Sequence, residues 1–144
     1  MKKALILVPV LAIVAFVAVR VFASDDSGEG IKFFNGTWKA AVEKAKAEHK
    51  PIFLDIYASW CGPCKMLKHK TFTSGKVGEY FNSHFINTSF DGEVDEGATL
   101  AQQFHIQGYP TLILIDENGK VMMYEMGYQT PKELLSLVKN ATGK

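Results

Sequence analysis

The chain's two cysteines, Cys61 and Cys64, share one turn, Trp60-Cys61-Gly62-Pro63-Cys64, placed directly after the apolar run Ile52 to Tyr57. An apolar run of that length, with Pro51 before it and a tight turn after it, predicts a buried strand. A helix is expected to start at the first cysteine and to carry Met66 and Leu67 inward. Two thiols separated by two residues on a first helical turn can reach each other. The first of them sits where unpaired backbone N–H groups and the helix dipole favour an anion. Cys61 is therefore the expected attacking thiolate, lower in pKa and more exposed, and Cys64 the expected resolving thiol. Gly62 leaves room for a partner chain, and Pro63 stiffens the turn at a position that needs no N–H donor. The competing reading is half a zinc site. It would need two further ligands from His49, His69, His84 and His105, and none of these shows knuckle spacing.

The export signal comes first in the chain. Lys2 and Lys3 precede sixteen uncharged residues, Ala4 to Val19, followed by Arg20 and Val21-Phe22-Ala23. Residues 1–23 read as a secretion signal cut before Ser24 or as an uncleaved anchor. Sixteen residues make about 24 Å of helix, short of a ~30 Å hydrocarbon core, though Arg20 can snorkel and lengthen the span. Either way the positive end stays cytoplasmic and the rest is exported, to the periplasm or another extracytoplasmic compartment. Ser24 to Gly30 is polar and glycine-bearing, and residues 24–36 are expected to form a flexible tether. Residues 37–144 then make one domain, long enough for a hydrophobic core. Residues 24–144 carry 13 lysines, no arginine and 15 acids, a net charge of −2. With no bidentate donors and no basic stripe, nucleic acid is not an expected partner.

Along the domain, Thr37 can cap a helix in which Trp38, Ala41, Val42 and Ala45 recur at helical spacing. Ser74 to Asn82 gives a second helical piece and Phe85 to Phe90 a strand whose alternation does not sort into apolar and polar faces. An acidic loop, Asp91 to Gly97, leads to a short helix, Ala98 to Phe104. Thr111 to Ile115 and Lys120 to Met126 form a hairpin around Asn118-Gly119. The last helix opens with Thr130, Pro131 and Glu133, a capping box with proline at the first position. Crossover helices imply parallel pairing for the early strands, and the hairpin implies antiparallel pairing for the last two. The fold class is α/β, a mixed central sheet with helices on both faces.

Asp55 is the next most informative residue. A carboxyl within Ile52-Phe53-Leu54-Asp55-Ile56-Tyr57 is costly to bury and is expected to have a raised pKa. It could exchange a proton with Cys64, directly or through water. Alternatively it reaches solvent at a sheet edge.

Residues Phe53 to Met66, with Ile106-Gln107-Gly108-Tyr109-Pro110-Thr111, closely resemble the active-site strand and motif and the cis-proline loop of the thioredoxin family. The likeness extends from about Trp38 to Val138 and implies the thioredoxin fold. It also implies that Trp60 shields the disulfide, that Asp55 is the buried acid and that Tyr109-Pro110 is cis. Pro110 would pack against the disulfide while the Tyr109 backbone pairs with a substrate strand. Tyr57 stands where cytoplasmic members usually have a second tryptophan. Asn87 stands where such members often carry a lysine near the buried acid. The Thr71-Phe72-Thr73 stretch and the loop Asp91-Gly92-Glu93-Val94-Asp95-Glu96-Gly97 look more like exported bacterial thioredoxins and the C-terminal domains of transmembrane disulfide-interchange proteins.

The expected activity is protein thiol-disulfide exchange, in the reducing direction because Gly62-Pro63 rather than a histidine separates the cysteines. Isomerase or oxidase action is the alternative, and a chaperone-like peptide-binding module with incidental thiols is the alternative of another class. Expected partners are protein or peptide disulfides and a membrane electron donor, with the chain a monomer. No cofactor beyond the redox-active Cys61–Cys64 disulfide is signalled. The Asp91, Glu93, Asp95 spacing lacks the glycine and closing glutamate of a calcium loop and reads as a solvated turn. The methionines read as core or rim packing, and His105, near Pro110, could modestly influence the site.

Overall fold

The computed structural model describes residues 28–144. The leader or anchor expected over residues 1–23 falls outside the described residues. Among these, no helix is long and apolar enough to cross a membrane.

Helix α1 (Trp38–Glu48) starts at Thr37, whose Oγ1 accepts the Ala40 N–H at 3.2 Å, and ends at His49 in the left-handed region with φ 52°. It turns Ala41 and Ala45 inward. Strand β1 (Ile52–Tyr57) is flanked on both sides. It pairs in parallel with β2 (Ile86–Asp91) and antiparallel with β3 (Thr111–Ile115), and β4 (Val121–Met126) completes the order β2-β1-β3-β4. Helix α2 (Gly62–Met66) continues into a π-turn (Leu67–Thr71), and α3 (Gly75–His84), α4 (Asp95–Gln103) and α5 (Pro131–Thr142) follow. Thr130 and Glu133 form the expected capping box.

Because strand side chains alternate faces, β1 divides the core. Phe53 joins Leu67, Phe81, Leu112, Leu134 and Val138 on the side of α2, α3 and α5. Leu54 and Ile56 join Leu100, Ile113 and Ile115 on the other side, with Trp38 of α1 packed against them. Asp55, two residues from Phe53, belongs to the α2 side. The unclear alternation of β2 has a physical cause: Ile86, Asn87 and Thr88 are all buried, so the strand has no solvent face there. Thr88 solves its polarity by donating Oγ1 to the Phe53 carbonyl at 3.0 Å.

Three expectations need correction. Met66, expected inside, is 43% exposed, whereas Leu67 is fully buried. The acidic loop is shorter than Asp91–Gly97, because α4 already begins at Asp95. Glu96 then reaches the start of α1, its Oε2 accepting the Trp38 N–H at 2.8 Å, a carboxylate where the helix dipole favours one. Part of the expected tether is pinned to the body. Ile31 N–H donates to the Phe72 carbonyl and Phe34 N–H to the Asn87 carbonyl, each at 2.7 Å, while Asn82 bonds both Lys32 N and Gly30 O. Phe33 lies edge-on to Phe72, so the apolar Ile31 and Phe33 hold the segment against the core.

Candidate functional site

The C-terminal end of β1 delivers the chain into the cysteine turn. Cys61 caps α2: its backbone is extended (φ −73°, ψ 115°), and its Sγ accepts the Cys64 N–H at 3.2 Å. The two cysteines are joined as a disulfide with Cα atoms 5.3 Å apart. Cys61 is 2% exposed and Cys64 7%, so the expectation of a more exposed Cys61 does not hold for the oxidised pair. The reason is the packing around them: Ala58, Tyr57 and Tyr109 close over both residues. A side chain at Gly62 would meet nothing within 4 Å, so the approach to the turn is open on that side. Gly62 and Pro63 are exposed.

Trp60, which the resemblance implies shields the disulfide, stands at the mouth of the cysteine turn. It is 66% exposed, with its Nε1 donating to Glu93 Oε2 at 2.9 Å and its ring edge-on to Tyr109 at 6.2 Å. Glu93, read from sequence as part of a solvated turn, thus holds the largest side chain at the mouth of the site. Across the turn the Tyr109-Pro110 bond is cis, as the resemblance implies, and Pro110 is buried. The loop is anchored by Thr111 Oγ1 donating to the Gly108 carbonyl at 2.7 Å and by Gly127 N–H donating to the Pro110 carbonyl at 2.8 Å.

Asp55 is 5% exposed on an interior strand, which excludes the edge reading. Ser89 Oγ donates to its Oδ2 at 2.7 Å, and Oδ1 is buried without a hydrogen-bond partner among the described residues. Burial raises its pKa from 3.8 to about 7, against the hydrogen bond from Ser89 and, more weakly, the charge of Lys68. A carboxyl poised there can both take up and give back a proton near neutral pH. Asn87, which stands where the family often carries a lysine, brings no charge to Asp55. Asn87 pairs with Phe53 in the sheet and its Nδ2 faces Lys32 O and Asn82 Oδ1, each at 3.4 Å. The cation acting on Asp55 comes from the π-turn as Lys68. Tyr57 and Tyr109 both have raised pKa values, chiefly from burial, with Asp91 and Asp55 adding for Tyr57 and Glu93 and Asp91 for Tyr109.

Ser89, Lys68 and Glu93 are the site groups that sequence reasoning missed. For Ser89 a signal existed, since parallel register places it beside Asp55. Among the described residues no group of three or more His, Cys, Asp or Glu side chains is arranged to hold a metal ion. The hollows of about 360 Å³ beside Lys32 and Asn87 and of about 370 Å³ beside Tyr80 and Lys139 are lined by none of Cys61, Cys64, Asp55 or Pro110.

A family model for a thioredoxin-like domain matches residues 38–142. The thioredoxin of Alicyclobacillus acidocaldarius is 34% identical over 97 residues, covering 67% of this chain and 85% of that protein. The thiol:disulfide interchange protein DsbD of Yersinia pestis is 36% identical over 76 residues, which is 52% of this chain but only 13% of the length of that relative. In solved structures, a Bacteroides thetaiotaomicron protein provisionally described as a disulphide-isomerase superposes with a TM-score of 0.71 at 36% identity, covering 81% of this chain and 96% of that one.

Proposed function

This chain belongs to the thioredoxin-like family over residues 38–142, and on that premise we propose that it is a thiol-disulfide oxidoreductase that reduces protein disulfides outside the cytoplasm. The observation that carries the reading is the Cys61–Cys64 disulfide at a helix start, directly after the strand whose Asp55 has its pKa pushed up to about 7 by burial.

In the reduced protein Cys61, at the start of α2, is the thiolate. It attacks one sulfur of a substrate disulfide; the Cys61–substrate bond forms, the substrate S–S bond breaks and one substrate thiolate departs. Asp55 takes the proton of Cys64, directly or through one water. The new thiolate attacks Cys61 Sγ, forming Cys61–Cys64 and releasing the second substrate thiolate, to which the Asp55 proton returns. The two electrons gained by the substrate are those lost by the two cysteines. Trp60, Gly62, Pro63, Tyr109 and Pro110 form the surface on which the substrate strand lies, with the Tyr109 backbone pairing with it.

The reducing direction rests on Gly62-Pro63 between the cysteines. Export rests on residues 1–23, and turnover in an oxidising compartment requires an external electron donor; the similarity to DsbD supports a membrane protein of the interchange type. The Bacteroides structure favours isomerase action as a second reading. Equilibration of the pair with glutathione buffers tests direction. A potential near about −270 mV supports the reductase, and one near about −120 mV would make the chain a disulfide donor.

A further inference from the structure

We propose that Ser89 is a positioning residue for the exchange reaction, fixing the Asp55 carboxyl so that Oδ1 is the oxygen that takes and returns the Cys64 proton. The proposal rests on the reading of Asp55 as proton acceptor.

The sheet dictates the contact. Parallel register sets Ser89 beside Asp55, and both side chains project from the same face because Cβ direction alternates in step on paired strands. Ser89 Oγ donates to Oδ2 at 2.7 Å, while Oδ1 is buried with no partner among the described residues. An oxygen already accepting a short hydroxyl hydrogen bond is the poorer site for a further proton. The proton therefore goes to Oδ1. The same bond resists rotation of the carboxyl, so the two oxygens do not exchange roles.

Ser89 also keeps the acid usable. Burial alone drives the carboxyl toward its neutral form, and a donor to the ionised form opposes this. After burial, Ser89 is the largest influence on Asp55 and Lys68 of the π-turn the next, both favouring ionisation. Besides the Cys64 thiol of the reduced chain, Tyr57 on the same strand and Asp91 at the end of β2 are titratable, and the charges of Asp91 and Asp55 both act on Tyr57. The β3 residue in register is Leu112, which is apolar. Without the hydroxyl, Asp55 would hold its proton above neutral pH and arrive at the exchange step already protonated.

The test uses the reduced full chain. The Asp55 carboxyl carbon is titrated by NMR, and the rate of single-turnover reduction of a protein disulfide is followed from pH 5 to 10 in wild type, Ser89→Ala, Ser89→Thr and Asp55→Asn. For Ser89→Ala the Asp55 midpoint is expected to move about one pH unit higher and the rate at pH 7 to fall about fivefold, converging on wild type above about pH 9. Ser89→Thr, which keeps the hydroxyl, restores both. An unchanged midpoint and profile in Ser89→Ala would overturn the proposal. Asp55→Asn tests the underlying reading separately: loss of the neutral-pH limb supports it, and persistence of that limb removes Asp55 from the mechanism whatever Ser89 does.

Discussion

The indole Nε1 of Trp60 donates to the carboxylate of Glu93 across the mouth of the cysteine turn, at 2.9 Å. Two segments 33 residues apart in sequence are thereby tied at the surface on which the proposed substrate strand lies. Trp60 is the largest exposed apolar side chain beside the disulfide, and its orientation decides how much apolar surface the partner meets. Glu93→Ala leaves the ring without its partner. Because the bond is exposed and screened by solvent, it is worth about 0.5–1 kcal/mol, so kcat/KM for a protein disulfide should fall about two- to fivefold. A small aromatic disulfide, which needs no docking surface, should react at the wild-type rate. Stopped-flow comparison of the two substrates checks this; equal losses on both would show that Glu93 acts on the thiols instead.

The cysteines have different fates on substitution. Cys61→Ser should bring reduction of a protein disulfide to background, since it removes the thiol that caps the start of α2, where the helix end favours the thiolate. Cys64→Ser should retain the first attack and accumulate a mixed disulfide with substrate. Non-reducing gels after acid quench separate these outcomes. A trapped complex in Cys61→Ser rather than Cys64→Ser would reverse the assignment of attacking and resolving thiols.

Much of this arrangement is legible in the sequence because it is local. Cys61 and Cys64 are three residues apart, Thr130 and Glu133 likewise, and Asn118-Gly119 names its own turn. The burial of Asp55 follows from its apolar neighbours on one strand. What is not legible depends on distant segments meeting. Trp60 is tied to Glu93, and nothing in either local stretch announces that bond. Lys68 of the π-turn acts on Asp55 through its charge alone, an influence between segments that helical spacing does not announce. The partners of Asn87 were likewise not legible: its Nδ2 faces Lys32 O and Asn82 Oδ1, in segments whose docking the sequence left open. Ile31 and Phe33 carried a signal that the polar residues before them obscured.

That docking makes a sharp prediction at Gly78, on the face of α3 that meets the N-terminal segment. A Cβ there would stand 2.5 Å from the Gly30 carbonyl carbon, too close for any backbone contact. In an exposed helix, alanine for glycine would stabilise by up to about 1 kcal/mol. Here Gly78→Ala should instead displace residues 28–31, break the Asn82 bonds to Lys32 and Gly30, and lower stability. Amide exchange at Ile31 and Phe34 should speed up by tenfold or more (an estimated loss of about 1.4 kcal/mol in local protection), while amides of β1 and β3 change little. Unchanged exchange at Ile31 and Phe34 would mean that the segment is not held there in solution.

Asp55 should make the oxidised protein less stable as the pH rises through neutrality. Its pKa is about 7 in the folded chain against an ordinary value of 3.8. Below about pH 4 the carboxyl is protonated in both folded and unfolded states and contributes nothing to the difference. Between about pH 4 and 7 the unfolded chain releases the proton while the folded chain keeps it. The folded state then binds more protons, and stability falls as pH rises. Above about pH 7 both are ionised and the loss is complete. Three pH units correspond to about 4 kcal/mol, an upper value because relaxation and water entry soften burial. Asp55→Asn keeps the shape and removes the ionisation, so it should be more stable than wild type at pH 8 by up to that amount. The two proteins should converge toward pH 4. Urea melts at pH 4, 6 and 8 measure both limits. Parallel pH dependences for the two proteins would mean that Asp55 is solvated when ionised, and its candidacy as the proton carrier would fall with its burial.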